Sequence, residues 1–570
     1  MSSHLERLFS AYLIAASWPA LHDKLSAAAV TGGASLIGLQ YRAEVEEPGL
    51  EEAMGLGTPV SRICRSWPRA ACIAMALVIA PASLAQAQAP TSAQSTQVKR
   101  PLILVPGLLG SRLCRPDPVD SSKTQVVWGT LGALRQFPTI RLSHDASAKD
   151  PIKPCGIVRE IVYLGLITQD VYSPIIRHLE KIGYRENRDL FIFDYDWRRS
   201  VFDNAATLDR FIRDKAPDGR VDILAHSMGG LVARVYTMQM GGDRVARLIS
   251  AGSPFTGSAK VFQTVEKGWG ALNVAMGGLD GFRRTILSFP SVFELMPRYN
   301  GCCDAGGLVA FNPASADTWK SLHWDGVDPA TMPSLPETFA RIRTLETLIA
   351  TPLPKGIEDV LLVGVDQRTP QSAGFEFGNG ISLLRTQTTW AGDGTVIRDS
   401  AVLGKAPSHR TSFANHERIL HDPQIQEFLR VALTKSVDEA VASVPVLPRG
   451  TLRAIDGSLT ELVGIVVEPD EPIYRTGDIC KVRVHVRLGD QTTIDPATIK
   501  LTRRMPDGRE AVIALVPDPA ASDPTNPFEQ SFVGKFDAGV KPGNGMLRAV
   551  VDMAGAKPRI VEQPVPVIAR

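Results

Sequence analysis

The sequence predicts an α/β chain: a mostly parallel sheet covered by helices over 100–436, then a small antiparallel β-sandwich over 454–570. Three observations predict it. Short runs rich in branched and aromatic residues, "PLILVP" (101–106), "LFIFDY" (190–195), "VDILA" (221–225), "RLISA" (247–251) and "VLLVGV" (360–365), alternate with stretches of helical periodicity. That alternation is the pattern of parallel strands joined through covering helices. A closing helix is marked next: Asp422 can cap it, Pro423 suits its first turn, and Ile425, Phe428, Leu429, Ala432 and Leu433 share one face. Beyond that helix the period becomes two. In "KVRVHVRL" (481–488) Val482, Val484, Val486 and Leu488 alternate with Lys481, Arg483, His485 and Arg487, a strand with one buried face.

The 570 residues exceed one typical domain, so at least two are expected. With 62 basic against 60 acidic side chains there is no positive field to hold nucleic acid, and that partner class is set aside. Near the start, Arg62, Arg65 and Arg69 precede an apolar segment from about Ala70 to Ala80, followed by small residues with Ala85-Gln86-Ala87 as a cleavage site. Residues 54–87 therefore read as a secretory signal peptide, its apolar segment being short for a bilayer span. On that reading translation starts at Met54, residues 1–53 are a wrongly assigned extension, and the protein is exported, to the periplasm or beyond. A membrane anchor behind a cytoplasmic leader is the rival. Residues 88–99, rich in Gln, Ser, Thr, Ala and Pro, read as a flexible lead-in.

Export removes Cys64 and Cys72 and leaves Cys114, Cys155, Cys302, Cys303 and Cys480, an odd number for pairing. No C-x-x-C pair occurs, and no metal or organic cofactor is implied. Residues 256–350, with Trp269, Trp319, Trp324 and the vicinal Cys302-Cys303, are irregular and read as a cap inserted between core elements. Residues 437–453, with "SVPVLPRG", read as a linker. After it, "IKLTRRMPDGREAVIALV" predicts a hairpin around Pro506-Asp507-Gly508, and "MLRAVVDM" a further strand. Some 115 residues of this kind suggest an immunoglobulin-like sandwich.

The chemistry centres on "DILAHSMGGLVARVY" (222–236). Ser227 stands between two apolar elements, as a helix cap or as a nucleophile on a sharp strand-to-helix elbow. "AHSMG" fits G-x-S-x-G with Ala225 replacing the first glycine. Chain order favours the nucleophile, because on such elbows the acid and then the histidine follow the serine. "AGDGTVIRDS" places Asp393 in a glycine-flanked loop, and "SFANHERILHD" places His416 just before the closing helix. Asp393 would fix the imidazole tautomer and His416 would take the serine proton. His409 and His421 compete as the base, and Asp366, directly after a strand, competes as the acid. For the oxyanion, the Met228 amide follows the serine at a helix start, and the Leu108 amide follows Pro106-Gly107 in "LVPGLLGSRL". An ordinary Pro-Gly turn is the plainer reading of that stretch.

Together, "PLILVPGLLGSRL", "VVWG" around Trp128, "YDWR" (195–198), "AHSMGGLVARVY", "SAGSPFTGS" (250–258), "GDGTV" and "NHERIL" resemble the lecithin:cholesterol acyltransferase family of α/β-hydrolases, over about 100–435. The resemblance implies a serine acyl-enzyme formed from a glycerolipid or phospholipid ester and released to an alcohol, such as a lipid alcohol, or to water, as in a lipase, phospholipase or esterase. It maps Ser227, Asp393 and His416 onto the triad and Leu108 and Met228 onto the oxyanion hole. Members carry a lid near the first loop tied by a disulfide, which implies that Cys114 pairs with Cys155. A cap with exposed apolar residues would let such an enzyme work at a lipid surface. The sandwich is no part of the family core.

Overall fold

The computed structural model describes residues 99–569 except 144–148, 164–166, 304–314, 379–380, 404–407, 447–448, 472, 506–507 and 523–525. The signal-peptide and extension readings, and all but the last residue of the lead-in, lie outside the described residues.

The chain enters the core at once with β1 (Leu102–Val105), all four residues buried. Beyond its carboxyl end lie β2 (Ser111–Pro116), β3 (Thr124–Trp128), a 3-10 helix over Leu131–Ile140, β4 (Lys153–Ile157) and the hairpin β5 (Glu160–Tyr163) to β6 (Ile167–Asp170). There follow α1 (Ser173–Lys181), β7 (Leu190–Ile192), α2 (Val201–Lys215), β8 (Val221–His226), α3 (Met228–Gln239) and β9 (Val245–Ala251). The cap is helical: α4 (Lys260–Lys267), α5 (Gly278–Ile286), α6 (Pro290–Glu294), α7 (Ala316–Ser321) and α8 (Leu335–Ala350). The α/β domain closes with β10 (Glu358–Gly364), the hairpin β11 (Thr369–Gly378) to β12 (Ile381–Thr389), α9 (Arg398–Ala401), β13 (Ser408–Ser412) and α10 (Pro423–Thr434).

Six of these strands form one sheet in the order β13-β10-β9-β8-β1-β7, every neighbouring pair parallel. The pleat divides their side chains between two cores. Ile103, Val105, Ile223 and Ala225 meet α2 and α3, while Leu102, Leu104, Leu224 and Ile249 meet α1 and α10. Each fully buried Ile, Leu or Val contributes roughly 1.5–3 kcal/mol, so this two-sided burial is what holds the strand ends still. The helices form where the sequence lets them. α2 starts at Ser200, whose hydroxyl accepts from the Phe202 amide, and turns Val201, Ala205, Leu208 and Ile212 inward. α10 starts as expected, with Asp422 accepting from the Gln424 amide ahead of Pro423.

The linker is shorter than 437–453. Ser436 accepts from the Glu439 amide and starts α11 (Val437–Ser443), which buries Val437 and Ala440 in the core shared with α10. Ser-x-x-Glu is a helix-start signature lying inside the stretch read as linker. At its other end Thr451–Arg453 is already β14 of the sandwich.

The sandwich continues through β15 (Leu459–Pro469), β16 (Tyr474–Arg475), β17 (Ile479–Leu488), β18 (Ile499–Arg504), β19 (Glu510–Ile513), β20 (Val516–Pro517), β21 (Glu529–Asp537), β22 (Gly543–Val551) and β23 (Arg559–Ile568). These make two five-stranded sheets, β14-β15-β17-β21-β20 and β16-β23-β22-β18-β19. β17 buries Val482, Val484, Val486 and Leu488 between them. Its opposite face is also partly covered: His485 is buried, bonded to Ser531 (2.8 Å) and Glu468 (3.1 Å), because that face packs on the α/β domain. There the Trp390 indole N–H donates to Glu529 (2.9 Å), and Gly464 lies so close that a Cβ would stand 2.5 Å from the Trp390 ring.

Candidate active site

β8 runs straight into the elbow. Ser227 has φ 53° and ψ −127°, a backbone conformation costing an L-residue about 1–3 kcal/mol. The surroundings impose it. The Ser227 amide donates to the Ala251 carbonyl (2.8 Å), and its own carbonyl accepts from the Gly230 amide (2.9 Å). α3 crosses β1 closely enough that a Cβ on Gly229 would stand 2.5 Å from the Pro106 carbonyl oxygen. Ala225, where the motif has glycine, lies upstream in β8, fully buried and paired with Val105 and Ser250. Its methyl packs in the core and leaves the crossing free.

The loops after β10 and β13 bring the partners to this serine. His416 Nε2 lies 2.9 Å from Ser227 Oγ, and His416 Nδ1 lies 2.7 Å from Asp393 Oδ2. A carboxylate oxygen accepts, so Nδ1 carries the proton and the Nε2 lone pair faces the serine hydroxyl. Asp393 Oδ1 accepts from the amides of Thr395 (2.9 Å) and Val396 (2.7 Å), which fixes the carboxylate. The His416 amide donates to the Asp393 carbonyl (2.8 Å), joining the two loops directly. Burial opposes charge on His416, but the Asp393 charge and hydrogen bond outweigh it and hold the imidazole above its usual range. Gly252 makes room for the pair: a Cβ there would lie 3.0 Å from Asp393 Oδ2 and 3.2 Å from His416 Nδ1.

The competing residues stand elsewhere in the fold. His421 Nε2 donates to the Val171 carbonyl (2.6 Å). His409 sits within β13, paired with Leu361 rather than at the strand end. Asp366 takes a two-pronged bond from Arg449 in the linker (2.9 Å each) and so anchors the sandwich.

On the other side of Ser227 is the turn after β1. Met228 opens α3, so its amide has no acceptor within the helix. Among the described residues the Leu108 amide likewise has no protein acceptor. The turn is clamped from outside. Tyr195 donates to the Pro106 carbonyl (2.8 Å), Trp197 to the Ser111 carbonyl (3.0 Å) and Trp128 to the Leu109 carbonyl (2.9 Å). Arg198, fully buried, is neutralised by Asp196 and Asp150 (2.7 Å each). The "YDWR" and "VVWG" stretches thus act as scaffolding for this turn. Cys114 and Cys155 are joined by a disulfide that ties β2 to β4 above it. Cys302 and Cys303 are joined to each other, and Cys480 is a free buried thiol.

Two site residues carried no signal that sequence reasoning used. Tyr172 accepts from the Gly107 amide (2.8 Å) and donates to His226 Nδ1 (2.8 Å). His226 Nε2 in turn donates to the His416 carbonyl (3.0 Å). Burial and the neighbouring His416 push His226 down to about 3, so it stays neutral, as this donor–acceptor order requires. His226 sits beside Ser227 in the motif, yet only the fold shows that it bridges the two halves of the site.

These groups open into a cavity of about 840 Å³. Leu108, Trp128, Leu131, Leu134, Val261, Trp269 and Leu272 give it an apolar lining. Its size and lining suit an extended apolar ligand.

The family model of lecithin:cholesterol acyltransferase matches residues 151–326, a stretch that holds Tyr195–Arg198 and Ser227 and ends before Asp393 and His416. No curated protein matches the chain by sequence. Among solved structures, a Tle4–Tli4 complex is similar at 15% identity, with 61% of this chain and 99% of that chain covered and a TM-score of 0.38. A lipase of Bacillus licheniformis, BlEst2 in its propeptide form, is similar at 11% identity over 82% and 93%, TM-score 0.29. Phospholipase PlaB of Legionella pneumophila in complex with thio-NAD is similar at 12% over 82% and 93%, TM-score 0.20. Over residues 151–326, then, the chain is matched by the model of the lecithin:cholesterol acyltransferase family.

Proposed function

We propose that the protein is a serine O-acyltransferase that takes an acyl group from a glycerolipid or phospholipid ester and passes it to an alcohol. The observation that carries this reading is the hydrogen-bonded series Asp393–His416–Ser227 at the mouth of an apolar cavity. Ser227 Oγ attacks the ester carbonyl carbon while its proton moves to His416 Nε2. The carbonyl oxygen becomes an oxyanion against the Leu108 and Met228 amides. Collapse breaks the bond to the ester alcohol, which leaves with the proton from His416. An acceptor alcohol then gives its proton to His416 as its oxygen attacks the acyl-enzyme. A second collapse returns that proton to Ser227 and releases the new ester. Water in place of the alcohol gives hydrolysis through the same atoms.

A fluorophosphonate is expected to label Ser227 in the parent chain and to leave Ser227→Ala unlabelled. Incubation with acyl-labelled phospholipid, with and without a lipid alcohol, tests the acceptor: a labelled ester appearing only with the alcohol supports transfer. Free fatty acid alone in both tubes would show a hydrolase. We also place the enzyme outside the cytoplasm. The apolar segment from about Ala70 to Ala80 behind Arg62, Arg65 and Arg69, and the Cys114–Cys155 disulfide, support that, since such bonds persist in oxidising compartments. A mature N-terminus upstream of Met54, read by mass spectrometry, would overturn the assigned signal.

A further inference from the structure

The sandwich reaches the catalytic cavity. Ile473, Met546 and Pro564 line it together with Ser227 and His416. Met546 on β22 and Pro564 on β23 face each other across the two strands. Their neighbours Leu547 and Val565 point into the sandwich core, whereas Met546 and Pro564 are not part of that core. Strand alternation therefore puts this pair on the outer face of the sheet, turned toward the catalytic domain. Met546 is half-buried there, an apolar side chain that forms part of the cavity wall.

This wall is fastened to the segment that carries the catalytic imidazole. Arg418, two residues past His416, donates to the Glu562 carbonyl of β23 (2.9 Å). Arg559, also on β23, lies over the Phe413 ring at 4.9 Å, three residues before His416. β6 lies beside β22 and closes the same side. The cap supplies the rest of the apolar lining, Val261 and Leu272 among it.

In acyl transfer through a serine, the imidazole must reach two oxygens in turn, that of the serine and that of the alcohol leaving or arriving. The alcohol accordingly sits on the histidine side of the acyl carbon. We propose that the C-terminal sandwich forms the alcohol side of the substrate site, with Met546 and Pro564 selecting for an apolar alcohol, and that the acyl chain occupies the cap side. This rests on Ser227 and His416 acting as proposed above.

The test uses the full chain and two series of esters: one acid joined to alcohols of rising chain length, and one alcohol joined to acids of rising chain length. Met546→Trp fills the wall and Met546→Ala opens it. Met546→Trp is expected to lower kcat/KM for the long-alcohol esters relative to the methyl ester by about tenfold, as one misfitting group in an apolar pocket does. Met546→Ala is expected to move that ratio the opposite way. In both variants the order of preference along the acyl series should follow the parent. An alcohol series unmoved in both variants, or an acyl series moved as much, would overturn the proposal. Fluorophosphonate labelling separates the two levels: a parent chain left unlabelled overturns the catalytic reading itself, whereas labelled variants with an unmoved alcohol profile overturn only the role of the sandwich.

Discussion

The Tyr172 hydroxyl donates to His226 Nδ1 at 2.8 Å while accepting from the Gly107 amide, so one phenol is shared between the turn that carries Leu108 and the histidine that braces the His416 backbone. Tyr172→Phe removes both bonds and leaves a buried amide and a buried imidazole nitrogen unpaired. The expected cost is about 1–3 kcal/mol of stability. Turnover of a short ester should fall by about tenfold, less than the 10²–10³ of deleting an oxyanion donor outright, because Leu108 is displaced and not lost. Urea unfolding and kcat measured on the same sample check this. Lost stability with an unchanged kcat would make Tyr172 a packing residue only.

The ionisation of His416 sets the pH profile. Its pKa is raised, so the protonated form, unable to accept the Ser227 proton, persists to higher pH than for an ordinary imidazole. The ascending limb of kcat/KM should have its midpoint above about 6.5. In Asp393→Asn the supporting charge is gone, so the limb should move down in pH and the rate fall by about 10⁴-fold. A limb that stays in place in Asp393→Asn would remove Asp393 from its assigned role. For stability the sign is the same group read the other way. A raised folded-state pKa contributes stability at pH below the unfolded value, and that contribution is lost as pH rises through the folded one.

Gly229→Ala tests the crossing of α3 over β1. The added Cβ meets the Pro106 and Val105 carbonyl oxygens at 2.5 and 2.7 Å, both backbone atoms that cannot swing away. The helix start must retreat, carrying the Met228 amide with it. Overpacking of this kind costs about 1–3 kcal/mol. Activity should fall by more than the thermal shift explains, which a comparison of kcat with the folded fraction at assay temperature measures.

Reduction of the Cys114–Cys155 bond, 41 residues apart in sequence, should destabilise the protein by about 4 kcal/mol on the loop-entropy argument. Cys114→Ser/Cys155→Ser should show the same loss and no further response to reductant. A variant as stable as the parent would leave the bond without a structural role.

Much of this was legible because it is local or ordered along the chain. The strand runs, the Asp422-Pro423 helix start and the period-two pattern around Val482 and Val486 each depend on neighbours within a few residues. The series Ser227, Asp393, His416 was readable because order on this fold restricts the choice, and the structure brings those three side chains into contact. What stayed hidden depends on long-range meetings. Tyr172 is 54 residues from His226, and nothing in either neighbourhood marks the pair. Burial of His485 on the outward face of β17 needed knowledge of Trp390 and Glu529. Asp366 looked like a catalytic acid by position, and only Arg449, 83 residues on, shows it to be an anchor. The helix at 437–443 was different: its Ser-x-x-Glu start was present in the sequence, overshadowed by the prolines after it.

The absence of a side chain at Gly464 has a consequence for how this architecture can be inherited. The indole of Trp390 occupies the space a Cβ would need, and its N–H is spoken for by a carboxylate of the neighbouring module. A recombination event that swapped in another sandwich would have to bring both a bare backbone position and an acceptor at matching places. A catalytic half expressed by itself would show a wide indole to water and invite self-association.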